Sequence, residues 1–176
     1  MGLLDGRNAL VFGVANDHSI AWGIARALHE HGAEVGFSSI ESLIDKRVRP
    51  LAESIGSTFV EPCDVQSDAD IERVFARWAE THDSLDILVH ALAFAKREEL
   101  DGAFVDTSRE GFALALDISA YSLIGLARAA RPFLRRRRSL WRRLTPPCRC
   151  GRTRPLLRLR RRTDGRPLLR CRRHLR

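Results

Sequence analysis

Three short stretches bring together residue types that could hold a phosphorylated, base-bearing ligand. The first is Gly13-Val-Ala-Asn-Asp-His-Ser19-Ile-Ala-Trp-Gly23, which follows an apolar run and opens a helical pattern. Glycine at such a turn lets the backbone approach a ligand, and a helix N-terminus offers unpaired N–H groups to an anion such as a pyrophosphate. Its spacing, Gly-x5-Ser-x3-Gly, is not the usual Gly-x-Gly-x-x-Gly, and alone it reads equally as an ordinary tight turn. The second stretch is Cys63-Asp64-Val65 at the end of an apolar segment. The Asp64 carboxylate can accept a hydrogen bond from an exocyclic amine such as that of adenine, with the Val65 N–H beside it; the plainer alternative is that Asp64 caps the next helix. The third is Val89-His-Ala-Leu-Ala-Phe-Ala95, whose small residues would let a ribose lie against the backbone, or simply pack a strand end tightly.

The elements that must position these stretches follow from hydrophobic period. Residues 8–12 are a continuous apolar run, the pattern of a strand covered on both faces. Ser19 is placed to cap a helix carrying Ile20, Ile24, Ala27 and Leu28, stopped by Gly32. Strands are expected over residues 34–38, 58–60 and 85–90. Between them, Ile44, Val48, Leu51 and Ile55 recur at helical spacing, as do Ile71, Val74, Phe75 and Trp78 behind a Ser67 or Asp68 cap. Thr107-Ser-Arg-Glu110 has the spacing of a capping box and opens a long helix running to Phe133, in which Gly111 and Gly125 permit close packing. The alternation βαβαβαβα predicts an α/β fold: an incomplete doubly wound parallel sheet of four strands with flanking helices.

Charge divides the chain. Residues 1–134 carry 21 acidic against 12 basic side chains, a net −9, whereas residues 135–176 carry 18 arginines against the single acid Asp164, a net +17; the overall +8 describes neither part. We read residues 1–134 as the N-terminal part of one domain and residues 135–176 as an Arg/Leu/Pro-rich tail without a fold. Pro146, Pro147, Pro155 and Pro167 interrupt any period in the tail, and Trp141 is its sole aromatic, which leaves no stacking platform for bases. Arginine without lysine, together with leucine and proline, fits a change of reading frame near Leu134 in GC-rich DNA; the competing reading is a basic arm that binds nucleic acid non-specifically. No run is expected to reach the ~20 apolar residues of a membrane span, and no signal-peptide pattern opens the chain, so a cytoplasmic location is expected.

Taken together, the three stretches resemble the NADH-dependent enoyl-acyl-carrier-protein reductases of bacterial fatty-acid synthesis, divergent members of the short-chain dehydrogenase/reductase superfamily. The likeness runs over residues 1–134 and includes Leu3-Leu-Asp-Gly6, Gly13 to Ala25, Phe59-Val-Glu-Pro-Cys-Asp-Val65, Asp86-Ile-Leu-Val-His90, Arg109-Glu-Gly-Phe112 and Asp117-Ile-Ser-Ala-Tyr-Ser122. The resemblance implies a Rossmann-type fold, about half of which this length supplies. It implies NADH as cofactor, with NADPH left open, an enoyl substrate carried on acyl-carrier protein, and assembly into homo-oligomers. By the same resemblance, Gly13, Ser19 and Ile20 line the pyrophosphate and ribose, and Asp64 and Val65 hold adenine. Leu92, flanked by Ala91 and Ala93, lies along the nicotinamide-side ribose, and Ala95 lies near the acyl substrate.

Two departures from the family pattern stand out. Ile40 occupies the place where many members carry a glutamine near the adenosine ribose, and the strand end itself carries neither an acid for a 2′-hydroxyl nor an arginine for a 2′-phosphate. The family's Tyr-x6-Lys pair is missing: Tyr121 is the one tyrosine, and neither Lys46 nor Lys96 stands at that spacing from it. No residue of this chain is therefore assigned a catalytic role, and the truncated chain is expected to be inactive. An alternative within the same fold is another NAD(P)-dependent short-chain dehydrogenase. No metal site is expected. His29 and His31 do not share a helix face, His18 reads as solvent-facing, and Cys148-Arg-Cys150 lacks a second ligand pair. Asp68, Asp70 and Glu72 read as first-turn acids favoured by a helix dipole.

Overall fold

The computed structural model describes residues 2–134. The elements run β1 (Asn8–Phe12), α1 (Ile20–Glu30), β2 (Glu34–Ser39), α2 (Glu41–Leu43), α3 (Arg49–Ser54), β3 (Val60–Pro62), α4 (Asp68–Thr81), β4 (Ile87–His90), α5 (Arg109–Leu116) and α6 (Ser122–Ala130). π turns over Ile44–Val48 and Asp117–Tyr121 join α2 to α3 and α5 to α6. The strands form one parallel sheet in the order β3-β2-β1-β4. This is the incomplete doubly wound sheet that the periodicity implies. The Arg-rich tail, its assignment as unfolded, and Cys148 and Cys150 lie outside the described residues.

β1 sits inside the sheet and is buried on both faces, which is why it reads as an unbroken apolar run. Ala9 and Val11 join one apolar layer with Trp22 of α1 and Val48, while Leu10 and Phe12 join the other with α4 and α6. On the second face Phe12 stacks on Phe75 at 6.3 Å and Phe59 meets Trp78 edge-on at 4.9 Å. Trp78 lies over Gly36 of β2, where a Cβ would stand 2.7 Å from its ring. The Arg7 guanidinium bonds Asp86 at 2.8 Å and ties the entry of β1 to that of β4.

Several boundaries differ from expectation. β3 lies at Val60–Pro62 rather than at 58–60, because pairing with β2 sets the register, Phe37 opposite Val60 and Ser39 opposite Pro62. Proline is tolerated there because β3 is an edge strand and its outer side needs no donor. β4 begins at Ile87 rather than Leu85. Ser67, not Asp68, caps α4, accepting the Asp70 N–H at 3.2 Å.

The start of α5 departs further from the expected capping box. Its cap is Ser108, whose hydroxyl accepts the Gly111 N–H at 2.9 Å. The carboxylate that returns the bond to the cap N–H comes from Glu99, at 2.8 Å, and not from Glu110. Helix and π turn together run Arg109–Ala130, 22 residues, within which an 18-residue stretch has a mean hydropathy of 1.4. By length and composition alone this helix could cross a membrane, a segment that a count of uninterrupted apolar residues passes over. Asp117 and Arg128 break the apolar run in sequence, but not the helix. In the fold its Gly125 packs against Ile71 of α4, and Ser122, Leu126 and Ala130 are buried.

Candidate functional site

The carboxyl-terminal ends of the four strands open onto one cavity of about 650 Å³. This is where ligands bind in open parallel sheets, because strand ends and helix N-termini converge there. β1 contributes Gly13, held at φ +99° with its N–H bonded to the Ser38 carbonyl at 3.1 Å. A side chain at Gly13 would overlap the Ala91 carbonyl oxygen, so the β1 turn lies flush against the chain leaving β4. The buried Ser39 hydroxyl donates to the Val14 carbonyl at 3.0 Å and fixes the turn from the β2 side.

β3 is followed directly by Cys63 and Asp64. One Asp64 carboxylate oxygen accepts the Gln66 N–H at 3.0 Å. Ser67 does the capping, so Asp64 is left as an exposed carboxylate on the cavity wall rather than as the helix cap of the plainer reading. Its backbone N–H donates to Asp70 at 3.1 Å, and Asp70 also binds Arg73 at 2.6 Å. The Asp64 N–H and the Arg73 guanidinium together hold the Asp70 carboxyl below its ordinary range. The Cys63 thiol is buried and pushed up to about 12, first by burial and then by the nearby Asp70 charge. At that value it stays a protonated wall group rather than a nucleophile.

β4 delivers Ala91, Leu92, Ala93 and Phe94 to the same wall. The π turn braces this exit: the Ser119 hydroxyl accepts the Phe94 N–H at 3.1 Å. One turn on, the Ser122 hydroxyl pairs with His90 Nε2 at 2.7 Å and donates to the Ile118 carbonyl at 2.6 Å. Since that hydroxyl already donates, Nε2 of His90 carries the proton in the pair. Burial pushes the His90 imidazole down, which favours its neutral form.

Of the residues singled out from sequence, Gly13, Asp64, Val65 and Leu92 meet on this one wall. Ser19, Ile20 and Ala95 lie off it. Ser19 caps α1 through the Trp22 N–H, and Ile20 is 80% exposed at the same helix end. Two charged residues that the sequence did not single out also face the cavity, Glu41 after β2 and Arg73 on α4. The strand end itself carries neither charge, but neighbouring helices bring the acids Glu41 and Asp70 and the base Arg73. Arg73 is already committed to Asp70 and to the Pro62 carbonyl, at 3.1 Å; Glu41 projects from an exposed position. Only the cavity position distinguishes Glu41 from the chain's other surface acids. Among the described residues no cluster of His, Cys, Asp and Glu could hold a metal ion, and Tyr121 is not part of the cavity wall.

Comparison with known proteins identifies the family of the fold. A family model described as enoyl-(acyl carrier protein) reductase matches residues 13–141. The enoyl-acyl-carrier-protein reductase (NADH) FabI of Aquifex aeolicus is 48% identical over 134 residues, which are 76% of this chain and 50% of that protein. The Bacillus subtilis protein of the same name is 46% identical over 133 residues, 74% of this chain and 52% of its own. The crystal structure of the Aquifex enzyme superposes with a TM-score of 0.74 over 77% of this chain and 54% of that one. A reductase from Anaplasma phagocytophilum, solved in complex with NAD, is 44% identical with a TM-score of 0.71, over 75% of this chain and 50% of that one. The chain thus spans about half the length of the curated relatives it matches. With the matched model covering most of the sequence and a solved member superposing on the fold, the chain belongs to the enoyl-acyl-carrier-protein reductase family.

Proposed function

We infer that this chain is the dinucleotide-binding half of an enoyl-acyl-carrier-protein reductase, able to hold NADH along the carboxyl end of its sheet but not to complete the reduction. The observation that carries this reading is the meeting of Gly13, Asp64, Val65 and Leu92 on one cavity wall. The residues there suit the cofactor. A turn without a side chain lies at the phosphate end, an exposed carboxylate stands beside a backbone N–H for an adenine edge, and small residues leave room for a ribose.

In this reading Gly13, Ser19 and Ile20 hold the pyrophosphate, with the N-terminus of α1 supplying N–H groups. Asp64 accepts from the adenine amino group and Val65 donates its N–H. Leu92 lies along the nicotinamide-side ribose, and Ala95 stands toward the acyl chain. Glu41 selects NADH, because a 2′-phosphate at that rim would meet a like charge. The bound cofactor would supply the hydride that the family delivers to the β-carbon of a trans-2-enoyl thioester carried on acyl-carrier protein. Delivery also needs a donor at the thioester oxygen and a group holding the nicotinamide ribose. Neither Tyr121, off the cavity wall, nor Lys46 or Lys96 stands in a Tyr-x6-Lys pair. Losing the oxyanion donor alone lowers rate by about 10²–10³. A cytoplasmic location accords with the buried, free Cys63 thiol.

The test is a fluorescence titration of the full chain with NADH and NADPH. Saturable NADH binding is expected. Asp64→Ala should weaken it about tenfold or more, the loss of one charge-assisted hydrogen bond. Glu41→Lys should move preference toward NADPH. A folded chain that binds neither nucleotide, or an Asp64→Ala variant that binds as well as the parent, would overturn the reading.

A further inference from the structure

We propose that Asp70 and Arg73 of α4 are positioning residues for the adenine end of the cofactor site: their ion pair clamps the main chain on either side of Cys63 and so aims Asp64 at the adenine amine. The inference deepens the cofactor reading and rests on it.

Asp64 stands in a turn, and a carboxylate in a turn discriminates between ligand edges only if its backbone is held in place beforehand. Sheet pairing holds the start of this turn, where the Cys63 N–H donates to the Ser39 carbonyl of β2 at 2.8 Å. Pro62 has no N–H to add. The further bonds come from the first two turns of α4. The Arg73 guanidinium donates to the Pro62 carbonyl at 3.1 Å, and the Asp70 carboxylate accepts the Asp64 N–H at 3.1 Å. One helical turn apart, the two side chains also bind each other at 2.6 Å. Ser67 fixes the helix start beneath them by accepting the Asp70 N–H at 3.2 Å. The pair thus grips the chain at two points, one before Cys63 and one after it.

Asp64, Asp70 and Arg73 all lie on the cavity wall. One Asp64 oxygen accepts the Gln66 N–H, which leaves the second to a ligand. A favourable place in the helix dipole does not by itself account for Asp70, because the exposed Asp68 stands in the same first turn. Asp70 differs in reaching back to the β3 exit. The Asp70 and Arg73 side chains are 27% and 48% exposed, and an ion pair so open to water adds little to stability. Its removal therefore leaves the fold standing and loosens the turn.

The experiment titrates the full 176-residue chain, by nicotinamide fluorescence, with NADH and with reduced nicotinamide hypoxanthine dinucleotide, in which a carbonyl replaces the adenine amine. The parent should prefer NADH by about tenfold or more. Asp70→Ala and Arg73→Ala should each lower that preference by about threefold or more, with circular dichroism unchanged. General loosening or misfolding would instead weaken both dinucleotides alike and keep their ratio, an outcome against the proposal. In an Asp64→Ala background, adding Asp70→Ala should weaken NADH binding no further. A parent chain that binds both dinucleotides alike, or neither, overturns the adenine reading and this proposal with it. A preference that Asp64→Ala abolishes but Asp70→Ala and Arg73→Ala keep overturns this proposal alone. So does a further loss in the double variant, which would make Asp70 a direct contact of the ligand.

Discussion

Gly13 combines a left-handed backbone, φ +99°, with a carbonyl of Ala91 standing where a side chain would go. Gly13→Ala is therefore expected to destabilise the fold by about 1–3 kcal/mol, measured by urea unfolding, and to weaken NADH binding in the same variant. Cys63 makes a different prediction at this scale. With its thiol raised to about 12, chiefly by burial, the folded state keeps the proton where an unfolded chain would lose it. Its contribution to stability is thus fully present below the ordinary thiol range and falls as pH rises from there toward 12. Peptide mapping after alkylation at mildly alkaline pH should find Cys63 unmodified in the native chain and modified in denaturant. Glycine and Asp64 were legible in the sequence because their turn and strand-end positions are local. Glu41 and Arg73 were not, because which side of α2 or α4 faces the cavity depends on how each helix crosses the sheet.

The elements show where local rules stop. α1 and α4 take the serine caps that their spacing suggests, Ser19 and Ser67. α5 does not follow its apparent capping box. Glu99, nine residues before the cap, accepts both the Ser108 N–H and its hydroxyl and packs against Gly111. Ser108→Ala should lower stability by about 1 kcal/mol, the ordinary effect of removing an N-cap, as read by thermal or urea unfolding. Those Ser108 bonds hold the Glu99 carboxyl below its usual value, so its contribution is present above the ordinary glutamate range and is lost as pH falls through the lowered value. Hydrogen exchange at Ser108 and Gly111 should accelerate on that acid limb, and Glu99→Gln should flatten the pH dependence. The Asp117–Tyr121 π turn is a second long-range effect: its extra residue turns Ser119 toward Phe94 while Ser122 bonds His90.

At the scale of the whole molecule, the described residues form a sheet that is covered at its centre and ends at a half-exposed β4. An apolar, half-exposed edge strand promotes self-association. The chain expressed alone is expected to aggregate at concentrations where a complete reductase stays monodisperse, and Ile87→Lys should reduce that aggregation, as followed by light scattering. Crotonyl-thioester-dependent NADH oxidation by the isolated chain should be undetectable; clear turnover would show that a donor other than the family's tyrosine serves the thioester oxygen.

The sequence by itself determined the parallel α/β class, the two-sided burial of β1, the main caps, the family and the want of a Tyr-x6-Lys pair. Each of these depends on residue type and short-range spacing. Only the tertiary structure decided the rest. The β2–β3 pairing moved β3 to Val60–Pro62, because an apolar run does not encode register. Convergence of four strand ends put Glu41 and Arg73 on one cavity wall with Asp64, and the return of the chain after α6 paired Leu134 with Leu85. These are contacts between residues distant in sequence, and their energies depend on geometry that no local pattern contains.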